Sequence, residues 1–572
     1  MHRRNNRHKQ RSLFDWDVLM GNDKLETSIW GHIRTEVFEK VDEDAFSSLY
    51  SDKMGRPNTP VNILVTVLTI KVMHDLTFRE LESQMDYHIG VQYACGCEAG
   101  QQVTTLRTVT NFIKYLRIYE KETGIDLFDR EFNRLVHDQI HRLGLSTKIA
   151  RTDSTYLDTN VCSYNRLQFL IETVKRVYRI LDEEDRHQFA LTFRMYVEND
   201  ADNYVYNLRG SDMDSEFRKI GNCYYTLQKL FGDKYSVEKP WQLYLRVFKE
   251  QFKVTKEDKI ELKPSKEMTS SSVRGVDDPE ATLRHKSGQN YLGYVGNVVE
   301  TADPENEINL ICNADLYQNN TSDGKMLVDG FEDLKQRKLP DLNELHFDAG
   351  YGGKLLDEQL EKYEVKGVQT AIKGVKTDHR MDVIRENGIC YAICSANEKV
   401  RLEKTEKGYK AEFMKAKCSA CNKLDKCPVK YLNKFSTYVY YIRKKELPKR
   451  LRLTNISTIP KERRTIRSGV EATVRQFKCR TKAGKSRLRG CFRHKIWFQL
   501  NALAINVRRI YQYTTSTPKI GDLSRKCPLS IVFYLTFCFV TSFLAKIVSV
   551  FGKLTRFFGP NELAHSKILK TS

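Results

Sequence analysis

Acidic side chains almost vanish from one stretch of this 572-residue sequence. Between residues 441 and 510 stand 3 acidic and 21 basic side chains, a net +18. The whole chain carries 94 Lys and Arg against 73 Asp and Glu, a formal charge of +21, so this stretch holds most of the excess. A merely solvated surface interleaves its signs. A one-signed run points to a polyanionic partner, either nucleic acid or an acidic membrane surface, and nucleic acid is the first choice. Cysteine is sparse, at 14 residues, which excludes a secreted disulfide scaffold. Residues 1–12 are basic and polar with no apolar run behind them, so no secretory leader is expected, and the thiols belong in a reducing, cytoplasmic setting. Internal repeats and low-complexity tracts are missing. So are a Gly-rich phosphate loop and a Ser-His-Asp order, which argues against a nucleotide-driven or acyl-transfer enzyme. Long hydrophobic runs are also scarce. The clearest, Ile531 to Ala545, is broken by Lys546 before Ile547 to Phe551 and is shorter than the ~18 to 20 residues of a membrane span. It reads as an element packed on the body or as a short anchor, and a membrane partner is not expected.

What is present suffices for two or three domains. Residues 1–140 read as helical. Pro60 can start a helix carrying Val61, Leu64, Val65, Leu68 and Val72 at helical spacing. Thr77-Phe78-Arg79-Glu80 has the capping-box pattern that opens another. The pair fits a helix-turn-helix and any small helical bundle equally. Strand character follows at Lys148–Asp153, then a long helical pattern over 160–265, then strands at Tyr291–Val299, Ile308–Ala314 and Glu344–Phe347. A helix pattern at Leu355–Tyr363 and an apolar run at Val368–Ile372 complete a mixed α/β sheet. Residues 511–572 form a tail.

Asp153 and Asp348 each close a strand-like run, which places a carboxylate at a sheet edge, where open α/β sheets build sites. A lone Asp there is also an ordinary turn former. A third acid lies in 464–480, read as one helix. At roughly 100° per residue, Ile466, Val470, Val474 and Phe477 make a buried stripe, while Arg467, Glu471 and Lys478 share an adjoining face. That face aims an acid and two cations at one place, or is a solvated i, i+4 pair.

The spacing Arg467-x3-Glu471-x6-Lys478 resembles the signature around the catalytic glutamate of bacterial insertion-sequence transposases with a DDE site. Arg464 stands where the family pattern has Tyr. Other pieces fall in family order. Thr152-Asp153-Ser154-Thr155 is similar to the first-aspartate strand, and Asp348-Ala349-Gly350-Tyr351 to the second-aspartate motif. Asp278-Pro279-Glu280-Ala281, with Arg284 and Lys286, resembles the segment before the second strand. Gly55-Arg56-Pro57 with Leu76–Leu81 is similar to the family's helical N-terminal domain, and Arg487-Leu488-Arg489-Gly490 with Asn501 and Asn506 to its C-terminal helix. The resemblance covers about 50 to 510. It implies a ribonuclease H-like catalytic core over 141–510, with a helical insertion near 160–265 and a cysteine-bearing one near 380–440, behind an all-α DNA-binding domain. It implies metal-dependent cleavage at transposon ends and strand transfer into target DNA by a DNA-bound homodimer in the bacterial nucleoid. The alternative is a decayed relative that only binds DNA.

Phosphodiester cleavage needs an in-line nucleophile, neutralised phosphorane charge and a stabilised leaving oxygen, which two divalent ions supply. Hard carboxylate oxygens suit magnesium or manganese. Asp153 is the expected bridging ligand and Asp348 and Glu471 the outer ones; Asp277, Asp278 and Glu280 are alternatives for the acidic set. Arg467 and Lys478 resemble the family's phosphate-contacting cations, and Lys485, Arg487 and Arg489 join them in the expected DNA surface. Cys418-x2-Cys421-x5-Cys427 has zinc-ligand spacing, with Cys394 as the best fourth ligand and Cys390 behind it. The competing reading is free thiols. Cys95-Gly96-Cys97 is too short to grip one ion.

Overall fold

A computed structural model describes residues 1–516 apart from 11, 21–22, 52–54, 161–163, 233, 256–258, 287, 371–380 and 479–484, and apart from the side chains of 190–193 and 461. The apolar run at 531–551 lies outside the described residues, as does Ile372.

The N-terminal part is helical as expected. Helix α1 (Val61–Met73) is apolar around its whole circumference and is buried almost throughout. Its Thr66 and Thr69 hydroxyls fold back onto the Asn62 and Val65 carbonyls, which lets polar side chains sit inside. Helix α2 (Phe78–Tyr87) opens on the expected capping box: Thr77 N donates to Glu80 Oε2 at 2.7 Å and Glu80 N to Thr77 Oγ1 at 3.2 Å. The two helices meet at 118°. Helices α3 (Leu106–Thr123) and α4 (Leu127–Arg142) follow, each with one buried apolar stripe. The pair α1 and α2 has the combined length and hydropathy of a bent span, but α1 is buried inside the protein; no single described helix is long and apolar enough to cross a membrane.

The central sheet is built from β1 (Ile149–Thr159), β2 (Thr282–Lys286), β3 (Gln289–Thr301), β4 (Ile311–Gln318), β5 (Glu344–Phe347) and β6 (Lys366–Gln369). Across the sheet the order is β4-β3-β1-β5-β6. β3 runs antiparallel to both β1 and β4, while β1, β5 and β6 are parallel. β2 forms a hairpin on the start of β3. Helix α5 (Asp323–Asp333) connects β4 towards β5. The expected helix at 464–480 is interrupted: Lys461–Thr465 is helical, Ile466–Ser468 tightens to a 3₁₀ turn, and helix α6 spans Gly469–Lys478. The break follows from crowding. A Cβ on Gly469 would sit 2.0 Å from Arg151 Nη1, and that guanidinium donates to the Ile466 carbonyl at 2.9 Å. The expected buried stripe survives as Val470, Val474 and Phe477.

Strand β7 (Lys485–Ser486) extends β1 in parallel at Asp158–Thr159, and helix α7 (Cys491–Thr515) then packs across the sheet. A Cβ on Gly296 would meet the Phe498 ring at 2.2 Å, so strand and helix touch backbone to ring. Phe477 packs against the same ring in a tilted pair, centroids 4.5 Å apart. Asn506 exchanges two hydrogen bonds with the backbone of Ile311, satisfying an edge strand that apolar contact would leave unpaired. One continuous apolar core runs from Ile33 through the sheet to Ile510, so the N-terminal helices and the sheet share it. The helical insertion, from Arg166–Tyr178 to Lys239–Gln251, has its own core around Trp241 and Tyr244. The cysteine-bearing insertion contains two small antiparallel sheets between Asp382 and Arg443, while Cys418, Cys421 and Cys427 themselves lie on or beside a short helix and a 3₁₀ turn between two of the strands.

Candidate active site

The three expected acids come from β1, the end of β5 and the start of α6. β1 pairs with β5 only over Ile149–Arg151, opposite Glu344–His346. Asp153 and Asp348 each lie two residues beyond the last pair, where the strands part. Asp153 therefore does not end its strand, as the sequence reading expected: β1 continues to Thr159, held by β3 on its other side. Asp348 does follow the last residue of β5.

Arg467 links two of the acids. Its Nη2 donates to Asp153 Oδ2 at 2.8 Å and its Nη1 to Glu471 Oε1 at 2.8 Å. The Asp153 and Arg467 side chains are each 16% exposed, Glu471 59%. Burial pushes the Asp153 carboxyl above its ordinary value, and the nearby Asp348 carboxylate pushes the same way; Arg467 and the Ser154 N–H pull it back. Asp348 accepts from the Ala349 N–H at 2.6 Å. The donor set is hard oxygen, partly buried and mutually repelling, which suits a divalent cation. Among the described residues no three His, Cys, Asp or Glu side chains stand close enough to hold an ion, and Arg467 spans the acids in this arrangement.

Sequence reasoning missed the supports. Ser154 Oγ donates to Asp323 Oδ1 at 3.1 Å, and a Cβ on Gly350 would lie 2.7 Å from Asp323 Oδ2, so Asp323 braces both aspartate motifs. The Tyr351 hydroxyl donates to Asn297 at 2.7 Å. Asp323 opens α5 behind the Ser322 cap, a pattern that reads as plain capping.

The alternative acids have other work. Asp278 is buried; it accepts from the Tyr294 hydroxyl at 2.8 Å and from Gly490 N at 3.1 Å. Glu280 accepts from Cys491 N at 2.6 Å. Together they satisfy the N-terminus of α7, where negative charge is favourable. Asp277 pairs with Arg176. Arg284 bonds the Asn319 and Thr321 carbonyls, and Lys286 donates to the Tyr156 hydroxyl.

Lys478, Lys485 and Arg487 are exposed, and Arg489 donates to Asn160 at 2.8 Å. The +18 stretch does not face outward as a whole. Arg452, Arg463, Lys495 and Arg509 pair with Asp357, Glu344, Asp126 and Glu300. Cys394, Cys418, Cys421 and Cys427 line one cavity of about 440 Å³, and Cys390 is not among its walls. Burial raises the Cys418 and Cys427 thiols, and the neighbouring cysteines add to it. Cys95 and Cys97 are buried in the N-terminal core.

Two family models match the chain. Residues 24–115 match the Transposase domain (DUF772), and residues 393–511 match the Transposase DDE domain. The second contains Arg467, Glu471, Lys478 and the four cysteines; Asp153 and Asp348 lie outside both. No curated protein and no solved structure matches.

Proposed function

We propose that this chain, marked by its two matched domains as an insertion-sequence DDE transposase, cuts transposon ends and joins them to target DNA with Asp153, Asp348 and Glu471 as its catalytic acids. The observation that carries the reading is the convergence on Arg467 of acids 318 positions apart: Asp153 and Glu471 share its guanidinium, and Asp348 raises the Asp153 carboxyl. The strand order β4-β3-β1-β5-β6, with β3 antiparallel, is that of a ribonuclease H-like sheet and supports that fold assignment.

Asp153, Asp348 and Glu471 would hold two magnesium or manganese ions. Bound there, such ions supply charge neutralisation at the phosphate and a water activated near neutral pH. The chain's own part is positioning. The parting of β1 and β5 sets Asp153 and Asp348 at one sheet edge, and Glu471, linked to Asp153 through Arg467, would approach them from the exposed face of α6. Arg467, whose guanidinium lies between Asp153 and Glu471, would be placed to contact a phosphate oxygen in a forked geometry. Lys478, Lys485, Arg487 and Arg489 hold the backbone of double-stranded DNA without reading bases. The working form is a DNA-bound homodimer in the nucleoid, because two ends must be joined.

In the cysteine cavity we propose a structural zinc on which Cys394, Cys418, Cys421 and Cys427 would close; the four thiols line one cavity, though no three of them stand within ligand distance of a common point in this arrangement. Incubating purified protein with labelled duplex from the flanks of its gene, with and without magnesium, tests the activity. Cutting that needs the metal and all three acids is expected. Binding without cutting under every metal condition would leave the DNA-binding alternative.

A further inference from the structure

Four helices of the N-terminal part, α1 to α4, differ in what they offer to a DNA groove. α1 is buried on nearly every side and offers no face to DNA. α2 is exposed, but Arg79, Glu80, Glu82 and Asp86 on its outer side sum to negative, and such a face is repelled by a phosphate-lined groove. α4 exposes Arg130, Arg134 and Arg142, of which Arg134 is held by Glu131 and Arg142 by Glu36, leaving Arg130 as its one arginine without an ion pair among the described residues.

α3 differs on each count. Val109, Phe112 and Leu116 turn inward. On the opposite face, Arg107, Thr110, Lys114 and Lys121 are exposed and Asn111 partly so. At roughly 100° per residue these positions fall in a single stripe. No ion-pair partner of Arg107 or Lys114 occurs among the described residues. Thr105 caps the helix through the Thr108 N–H, so the stripe begins at a positive helix end. Ile118, 39% exposed, puts apolar surface within the same stripe, and Tyr115, 42% exposed, borders it; the exposed Glu122 stands at its far end and leaves the face net basic. Donors, amide and apolar groups together on one rigid face are the set that reads base edges and thymine methyls in a major groove, which admits one α-helix.

The helix is also in line with the site. From Asp153 to Asp158, β1 advances roughly 17 Å. There β7 lies alongside and presents Lys485. Beyond it, an apolar hollow walled by Leu488 and Trp497 on one side has Thr110 and Ile113 of α3 on the other. Lys485 beside β1 and the exposed Arg493 in the wall of the hollow are cations on this path towards α3.

We propose that α3 enters the major groove of the transposon end and that Arg107, Thr110, Asn111 and Lys114 read its sequence. At about 3.4 Å per base pair, the bases read lie at least about five pairs from the cut. The inference rests on the DNA-cutting reading above, and its test separates the two. The full-length protein is used to enrich bound duplexes from a random-sequence pool, and the motif is compared with that obtained by Arg107→Ala/Asn111→Ala and, separately, by Lys114→Ala. The wild type is expected to enrich a defined motif. The double variant is expected to lose at least about fivefold preference at each base pair it no longer contacts, while its affinity for the unselected pool stays within about twofold at moderate salt. Lys114→Ala, an exposed single change, should weaken preference over a narrower part of the motif. Glu82→Ala/Asp86→Ala on α2 should leave the motif as it is. Variants of α3 that enrich the wild-type motif unchanged, or α2 changes that rewrite it, overturn the assignment of α3 alone. A wild-type protein that retains no duplex at any salt overturns the DNA reading with it.

Discussion

Glu300 and Arg151 face one another across β1 and β3, Nε to Oε1 at 2.6 Å, with the carboxylate fully buried. The second oxygen of Glu300 takes the Thr473 hydroxyl at 2.6 Å and Arg509 at 2.9 Å. One acid therefore ties two strands of the sheet to α6 and α7. It also fixes where Glu471, two residues before Thr473, emerges relative to Asp153, two residues after Arg151.

Glu300→Gln should be severely destabilising, because it strands two guanidinium groups that remain mostly buried. Breaking a buried pair of this kind costs about 3–5 kcal/mol. The check is a denaturant midpoint at unchanged slope, with the exposed Glu305→Gln as control. A loss below about 1 kcal/mol would show that the network does not hold the helices.

Asp153 should cost stability in the metal-free protein. Its folded carboxyl is raised, so the folded chain holds that proton more tightly than the unfolded chain. The penalty is absent below the ordinary Asp value of about 3.9 and sets in as pH rises from there through the folded value. Asp153→Asn is expected to raise Tm at neutral pH without metal, by an amount that shrinks to nothing as pH falls below that range. Magnesium should stabilise the wild type and not the variant. A variant less stable than the wild type at neutral pH in chelator contradicts the sign.

Protein prepared without chelators should carry about one zinc per chain, as one four-thiolate site implies. Cys418→Ser or Cys421→Ser should release it and lower the stability of the insertion, since metal binding and local folding are linked. Elemental analysis that finds no zinc in the wild type would end this assignment.

DNA affinity should fall steeply with salt, with a log–log slope of roughly −0.9 per phosphate neutralised. Neutralising Lys485, Arg487 and Arg489 together should flatten the slope by up to about 3 of these units and weaken all sequences alike. Neutralising Lys495 should not flatten it, because that side chain is committed to Asp126 at 2.7 Å. Equal effects from the two changes would mean that the basic stretch acts as an undivided charge.

Much of this was readable in advance where the signal is local. The capping box at Thr77, the α6 stripe of Val470, Val474 and Phe477, and β5 at Glu344–Phe347 follow from short-range pattern. What escaped depends on residues distant in sequence. Arg151 breaks the 464–480 helix from 315 positions away, and no periodicity within that segment announces it. β1 looked finished at Asp153 because its next residues, Ser154 and Thr155, are polar, yet pairing to β3 carries the strand on. Glu300 follows an apolar run, and its burial depends on partners from three distant segments, Arg151, Thr473 and Arg509. The charge of the 441–510 stretch was legible, but not which cations are consumed inside the fold.

The most direct test is strand cleavage by Asp153→Asn, Asp348→Asn and Glu471→Gln, each measured beside duplex binding at the same salt. Each amide keeps the shape and loses the charge. The account predicts that every variant binds as the wild type does and cuts more slowly by more than about a hundredfold, the scale that changes around a metal site reach without touching its ligands. Magnesium-dependent cutting near the wild-type rate by any one of the three would remove that residue from the site, and by all three would contradict the assignment.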